Sequence, residues 1–208
     1  MFTTEFGIAS LVLKEVPYRQ EAYITIQSTE EPEALVKECV SFCRMVGAEK
    51  IYIKGHPIAE RFPLHTIIYK MQGEAHVDKE NLDHLFPVTE QTVEKWRQIC
   101  NEAMRNVDCA ATQTKADEKF LLESCTPYFV HKDGELLGIG LMNDTELMQI
   151  SAVKPGLGYR VLNALLSTVE GAQVELEVAS TNERAIRFYE KNGFLKTGER
   201  TRWYRAYP

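Results

Sequence analysis

Apolar and polar positions alternate along this chain with two different periods, and the changes of period mark out its elements. From Glu21 to Gln27, Ala22, Ile24 and Ile26 alternate with Tyr23, Thr25 and Gln27, which predicts a strand buried on one face. From Pro32 to Val46 the spacing becomes helical: Leu35, Val36, Val40, Phe42, Cys43 and Val46 recur on one side. Ser28 or Thr29 can cap the start of that helix, and Gly47 stands where helices end. Ile51 and Ile53 alternate again within Lys50 to Lys54, and beyond a loop containing Pro57 and Pro63 another strand is predicted from Leu64 to Met71.

The residues from Gln72 to Asp83 are polar and carry no apolar periodicity, so they read as a linker between a small α/β domain at 1–80 and a second domain at 84–208. In the second domain Leu85 to Val88 reads as a short strand, and Thr89 caps a helix that gathers Val93, Trp96 and Ile99 on one side, with Cys100 close by. A helix from Ala116 to Ser124 follows, then a strand at Pro127 to His131, the hairpin turn Asp133-Gly134, and strands at Leu136 to Met142 and Leu147 to Val153. The tail from Lys196 to Pro208 alternates and is expected to form the last strands, with Trp203 packed and the arginines in solvent.

Composition narrows the function classes. With 44% hydrophobic and 26% charged residues over 208 positions, the chain has the make-up of a folded globular protein. A net charge of -6 without a basic run argues against nucleic-acid binding and suits an amine-bearing substrate better. The first residues lack the basic region of a signal peptide, and no apolar run approaches the roughly 18 residues of a membrane span, so a cytoplasmic location is expected. The five cysteines, at 39, 43, 100, 109 and 125, are odd in number and lack CxxC spacing, and the five histidines show no ligand spacing; reduced thiols and no metal site are expected.

The chemistry is carried by Val174 to Phe194, VELEVASTNERAIRFYEKNGF. Val174, Leu176 and Val178 alternate as a strand, Asn182 can cap the following helix or offer its amide to a ligand, and Gly193 supplies a left-handed helix terminus. Upstream, Ala152-Val153-Lys154-Pro155 ends a strand and Gly156-Leu157-Gly158 forms a tight turn into a helix. Glu175 and Glu177 share the strand face opposite Val174 and Leu176, where they line an amine site or meet solvent.

In its order of strand, Asn182, Ala185, Phe188, Tyr189, Gly193 and Phe194, this segment resembles the GNAT acetyltransferases, and the resemblance extends upstream through Ile150 to Leu166. It implies a C-terminal GNAT fold, a mixed and mostly antiparallel sheet flanked by helices, preceded by a small α/β domain that is loosely like a partial repeat of it. It implies acetyl-CoA as cosubstrate, held by Ala152, Val153, Lys154, Gly156, Leu157, Gly158, Tyr159 and Asn182. It also implies Tyr189 as the general acid for the departing thiolate. The family commonly has about five more residues between the proline and the glycine turn, and here Pro155 abuts Gly156, leaving Lys154 and Arg160 as the nearby cations. The expected activity is direct transfer of acetyl to a primary amine, and the alternative is a catalytically degenerate binding or regulatory module. The expected partners are acetyl-CoA and an amine acceptor, without nucleic acid or membrane, and a homodimer remains open.

Overall fold

The computed structural model describes residues 1–207 and divides them into two compact units, Met1–Ile68 together with the segment from Glu199, and Tyr69–Gly198. In chain order the first unit contains β1 (Phe2–Thr4), β2 (Gly7–Val12), the short helix α1 (Val16–Arg19), β3 (Glu21–Thr29), α2 (Pro32–Met45), β4 (Lys50–Lys54) and the start of β5 (Leu64–Glu74). The second contains the end of β5, then β6 (His84–Pro87), α3 (Val93–Met104), α4 (Glu118–Ser124), β7 (Thr126–Lys132), β8 (Glu135–Asn143) and β9 (Glu146–Ala152). It continues with α5 (Gly158–Leu166), β10 (Gln173–Ala179), α6 (Glu183–Lys191) and the start of β11 (Leu195–Tyr207).

The division cuts β5 at Ile68 and β11 at Gly198, not the polar stretch expected to be a linker. Gln72 to Glu74 finish β5, and the rest of that stretch lies in the second unit, where Asp78 and Asp83 are bonded to side chains of α5. The stretch is tied to α5 by the main chain of Asp78 and Asn81 and by the carboxylate of Asp83, so it belongs to the fold without any apolar periodicity. The expected final strands are one long strand, β11, and Pro208 lies outside the described residues.

In the first unit the strand order is β1-β2-β3-β4-β11-β5, with β3 and β4 parallel and β11 antiparallel to β4. The predicted helix α2 packs on one face through Leu35, Val36, Cys39 and Cys43, against Ile24, Ile51 and Ile53. Burying apolar side chains at about 25 cal/mol per Å² is what holds such a helix to its sheet. The opposite face carries Tyr23, Tyr52 and Trp203, and Trp203 meets Tyr23 edge-on at 5.1 Å while Lys54 lies over its ring. The hairpin of β1 and β2 had no clear alternation in the sequence, because its residues are mostly half-buried.

The second unit has the order β11-β5-β10-β9-β8-β7-β6 and is mixed, with β9 and β10 parallel and the β6 to β9 pairs antiparallel. Helices cover both faces: α5 and α6 enclose one core with Leu176, Val178 and Phe194, while Trp96 and Cys100 of α3 and Leu121 of α4 enclose another with Ile139 and Leu141. Close approach of α5 to β8 depends on Gly138, where a Cβ would meet the carbonyl of Ser151 and the Val161 side chain. Both units share one sub-pattern. In each, strand, helix and parallel strand lead to a last strand, and a strand from elsewhere in the chain lies between the last two: β11 between β4 and β5, and β5 between β10 and β11. The second unit differs in carrying α6 before its last strand.

Candidate active site

The site begins with a one-residue irregularity. Along β8 and β9, Leu141 faces Gln149 but the next residue, Met142, faces Leu147, so Met148 is an extra residue in β9. Such a bulge bends its strand and raises the local twist. On the other side of β9, registry with β10 among the described residues is limited to Glu146 and Glu175, supported by the Glu175 N–H donating to Thr145 O at 3.1 Å. Beyond the bulge the two parallel strands diverge.

Divergence leaves main-chain groups of β9 without strand partners. The Val153 N–H donates to Leu137 O at 2.9 Å, and Ser151 faces Ile139, so these residues turn their main chain toward β8. Because successive residues of a strand alternate, Ile150 and Ala152 turn theirs toward the gap beside β10. Unpaired N–H and C=O groups in an apolar setting call for a ligand or water. Of the two neighbours expected to hold cofactor through this strand, Ala152 fits and the amide of Val153 is committed elsewhere. Ile150, on the same side as Ala152, is the residue that sequence reasoning missed; only the bulge sets that parity.

The strand ends in a short turn, Lys154 to Leu157, that opens α5. Gly156 adopts φ +90, a left-handed conformation that a side chain would strain, and a Cβ there would meet nothing within 4 Å. Leu157 donates its N–H to Lys154 O at 3.4 Å and packs its side chain toward the core, so its amide too is used internally. Among the described residues the amides of Gly156, Gly158, Tyr159 and Arg160 have no such partner, and the last three are the first-turn donors of α5. Amides clustered at a helix N-terminus form an anion cradle. Lys154 is exposed and makes no ion pair among the described residues. Arg160, the other expected cation, is bound to Asp83. Tyr159 is 46% exposed and lies beside a recess with Leu162, Asn163 and Lys191.

Helix α6 flanks the same region. Asn182 caps it, its side chain accepting from Ala185 N at 3.2 Å, and the amide nitrogen of that side chain has no partner among the described residues. Phe188 is half-buried and lies 3.2 Å from the position a Cβ of Gly158 would take, so α6 packs directly on the turn. Tyr189 is buried, its ring 5.4 Å from that of Phe188 and 5.8 Å from that of Phe194. Burial pushes its phenol well above the ordinary value of 10.0, so it remains protonated through neutral pH. Its hydroxyl has no hydrogen-bond partner among the described residues and is not sealed from solvent.

The strand face of Glu175 and Glu177 is exposed and lines a recess of about 300 Å³ with Lys70 and the Asn143 to Glu146 turn. Glu175 accepts from Gln72 Nε2 at 2.6 Å. The expected residues lie along the divergent end of β9, in the turn, and at the two ends of α6, with Asn182 at its start and Tyr189 in its last turn, all within the second unit.

Comparison with known proteins gives the family and the fold. The model of the acetyltransferase (GNAT) family matches residues 91–194, a span that runs from α3 to Phe194 and contains the bulge, the turn and Tyr189. N-alpha-acetyltransferase RimI of Mycobacterium tuberculosis is 42% identical over 51 residues, 24% of this chain and 32% of that protein, so the likeness spans about a third of the relative's length. A GCN5-related N-acetyltransferase from Anabaena variabilis is similar in fold, with a TM-score of 0.60 at 10% identity over 88% of this chain and 54% of that one. A conserved protein of unknown function from Staphylococcus epidermidis has a TM-score of 0.59 at 10% identity, covering 97% of this chain and 91% of that one. The chain belongs to the GNAT family of acetyltransferases.

Proposed function

We propose that the protein transfers an acetyl group from acetyl-CoA to a primary amine. The observation that carries this reading is the gap between β9 and β10 opened at Met148, which frees the main chain of Ile150 and Ala152 beside an N-terminal helix cradle. A pantetheine arm is an extended chain of amides, so it can pair with strand groups as a missing strand would. The donor's pyrophosphate suits the amides of Gly156, Gly158, Tyr159 and Arg160, with Lys154 as the side-chain cation and the Asn182 side chain within the same stretch of the site.

Acetyl-CoA supplies an activated thioester. The amine nitrogen attacks its carbonyl carbon, the carbon–sulfur bond breaks, and the sulfur takes a proton from Tyr189. The phenol is protonated at neutral pH, as a proton donor must be, and the basicity that the sulfur gains as the carbon–sulfur bond breaks drives the transfer. The amine's own proton leaves to water or to a carboxylate such as Glu175 or Glu177, and a proton from solvent restores the Tyr189 phenol, so no net proton is gained or lost. The five free cysteines suit a reducing compartment such as the cytoplasm.

One observation favours a second reading, a binding module without turnover. Among the described residues Lys154 is the side-chain cation at the turn that has no partner, because Arg160 is engaged by Asp83. Calorimetry with acetyl-CoA, followed by thiol release in the presence of a panel of amines, separates the two. Micromolar binding with amine-dependent release supports the enzyme; binding without release with any amine supports the module; no binding up to millimolar donor sinks both.

A further inference from the structure

The stretch from Asp78 to Asp83 is fastened to α5 at two levels. Asn163, 2% exposed in the middle of the helix, accepts the Asp78 N–H at 2.8 Å and donates through Nδ2 to the carbonyls of Asp78 at 2.9 Å and Asn81 at 3.1 Å. One turn earlier Arg160 donates Nε to Asp83 Oδ2 at 2.8 Å and Nη2 to Oδ1. The Asp83 side chain is 4% exposed, so this carboxylate is withdrawn from water and depends on the guanidinium fork for compensation.

The placement is unusual for a cation. Arg160 stands in the first turn of α5, where free amides and the helix dipole favour negative charge. Asp83 neutralises it there, and the paired side chain fixes the residue whose own N–H is one of the four amides of the cradle. Asn163 secures the same strap one turn further along, so the helix end is held against both rotation and sliding.

We infer that Asp83, acting through Arg160, is a positioning residue that holds the first turn of α5 where its amides meet the donor's pyrophosphate. This rests on the acetyl-CoA reading above. Were Arg160 instead a reserve ligand waiting to leave Asp83 for a phosphate, removal of the carboxylate would have the opposite sign, because it would release a cation into the site.

The test uses the full chain as wild type, Asp83→Asn, Arg160→Gln and the double variant. Affinity is measured for acetyl-CoA and for S-acetylpantetheine, which lacks pyrophosphate and nucleotide. The inference predicts that each single variant weakens acetyl-CoA binding by about tenfold, the scale of one charge-assisted contact. It predicts that the double variant is no weaker than the worse single, and that S-acetylpantetheine affinity stays unchanged. A tightening in Asp83→Asn, a parallel weakening for both ligands, or no change for either would overturn it. Arg160→Lys, which keeps the ion pair but loses the fork, carries the same comparison if Asp83→Asn does not fold. Failure of the wild type to bind acetyl-CoA removes the underlying reading as well, and is recognisable before any variant is made.

Discussion

Two parallel strand pairs among the described residues, β3 with β4 and β9 with β10, are each joined by a helix, and they differ in how far they stay together. In the first unit β3 and β4 stay in register at five successive positions, from Glu21 opposite Lys50 to Thr25 opposite Lys54. In the second, β9 and β10 share a single registered position. The closed pair is pinned at its start by Glu21, a buried carboxylate that accepts from the Tyr23 hydroxyl at 2.8 Å and pairs with Arg19 at 3.2 Å and Lys50 at 3.3 Å. The first unit has a bulge too, at Gln27 of β3, and like Met148 it lies two residues past the last position registered with the parallel partner. The extent of pairing therefore separates them: five registered positions hold the first pair together up to its bulge, whereas one leaves the second pair parted there.

Removing the bulge is the strongest way to break the contrast. Deletion of Met148 restores a continuous ladder between β8 and β9 and lets β9 follow β10. The expected outcome is loss of detectable acetyl-CoA binding by calorimetry with an unchanged far-ultraviolet circular dichroism spectrum. A variant that still binds donor with native affinity would show that the gap does not depend on the bulge.

Next in size is Tyr189→Phe. Removing the phenol hydroxyl is expected to lower kcat about 10²-fold, the low end for a general acid, with donor affinity unchanged. In the wild type the raised phenol places any loss of this proton above pH 10, so steady-state rates should show no descending limb from Tyr189 below that pH. A fall in rate centred well below pH 10 that disappears in Tyr189→Phe would contradict the assignment.

The smallest effect sharpens the description of the closed pair. Behind it, burial raises the thiols of Cys39 to about 12 and Cys43 to about 11 from an ordinary 9.0. Above pH 9 the unfolded chain releases protons that the folded chain retains, so these thiols contribute stability that is present below pH 9 and is lost as pH rises toward 11. Each contributes at most about 1.4 kcal/mol per pH unit within that window. Cys39→Ala with Cys43→Ala should make the decline of Tm between pH 9 and 11 shallower; an unchanged slope would mean the thiols titrate normally.

Much of the site was legible where its signals are local. Asn182 as a cap, Gly193 as a left-handed terminus and the alternation of Val174, Leu176 and Val178 depend on neighbours within a few residues, and each stands where its spacing placed it. The gap itself was not legible, because a bulge is defined by registry with β8 and no property of Met148 announces it. Nor were the unit boundaries, since β5 and β11 are cut mid-strand and their strand neighbours are distant in sequence. The polar Gln72 to Asp83 stretch misled for a physical reason: Asn163 and Arg160, about 80 residues away, supply the partners that make a polar segment structural.

Hydrogen exchange with and without acetyl-CoA tests the central claim most directly, because it reads the main chain of both strand pairs at once. The account predicts that donor slows exchange at Ile150, Ala152, Gly156 and Gly158 to Arg160, and leaves β3 and β4 unchanged. Protection absent from β9 and the turn, or centred on β3 and β4, would contradict it.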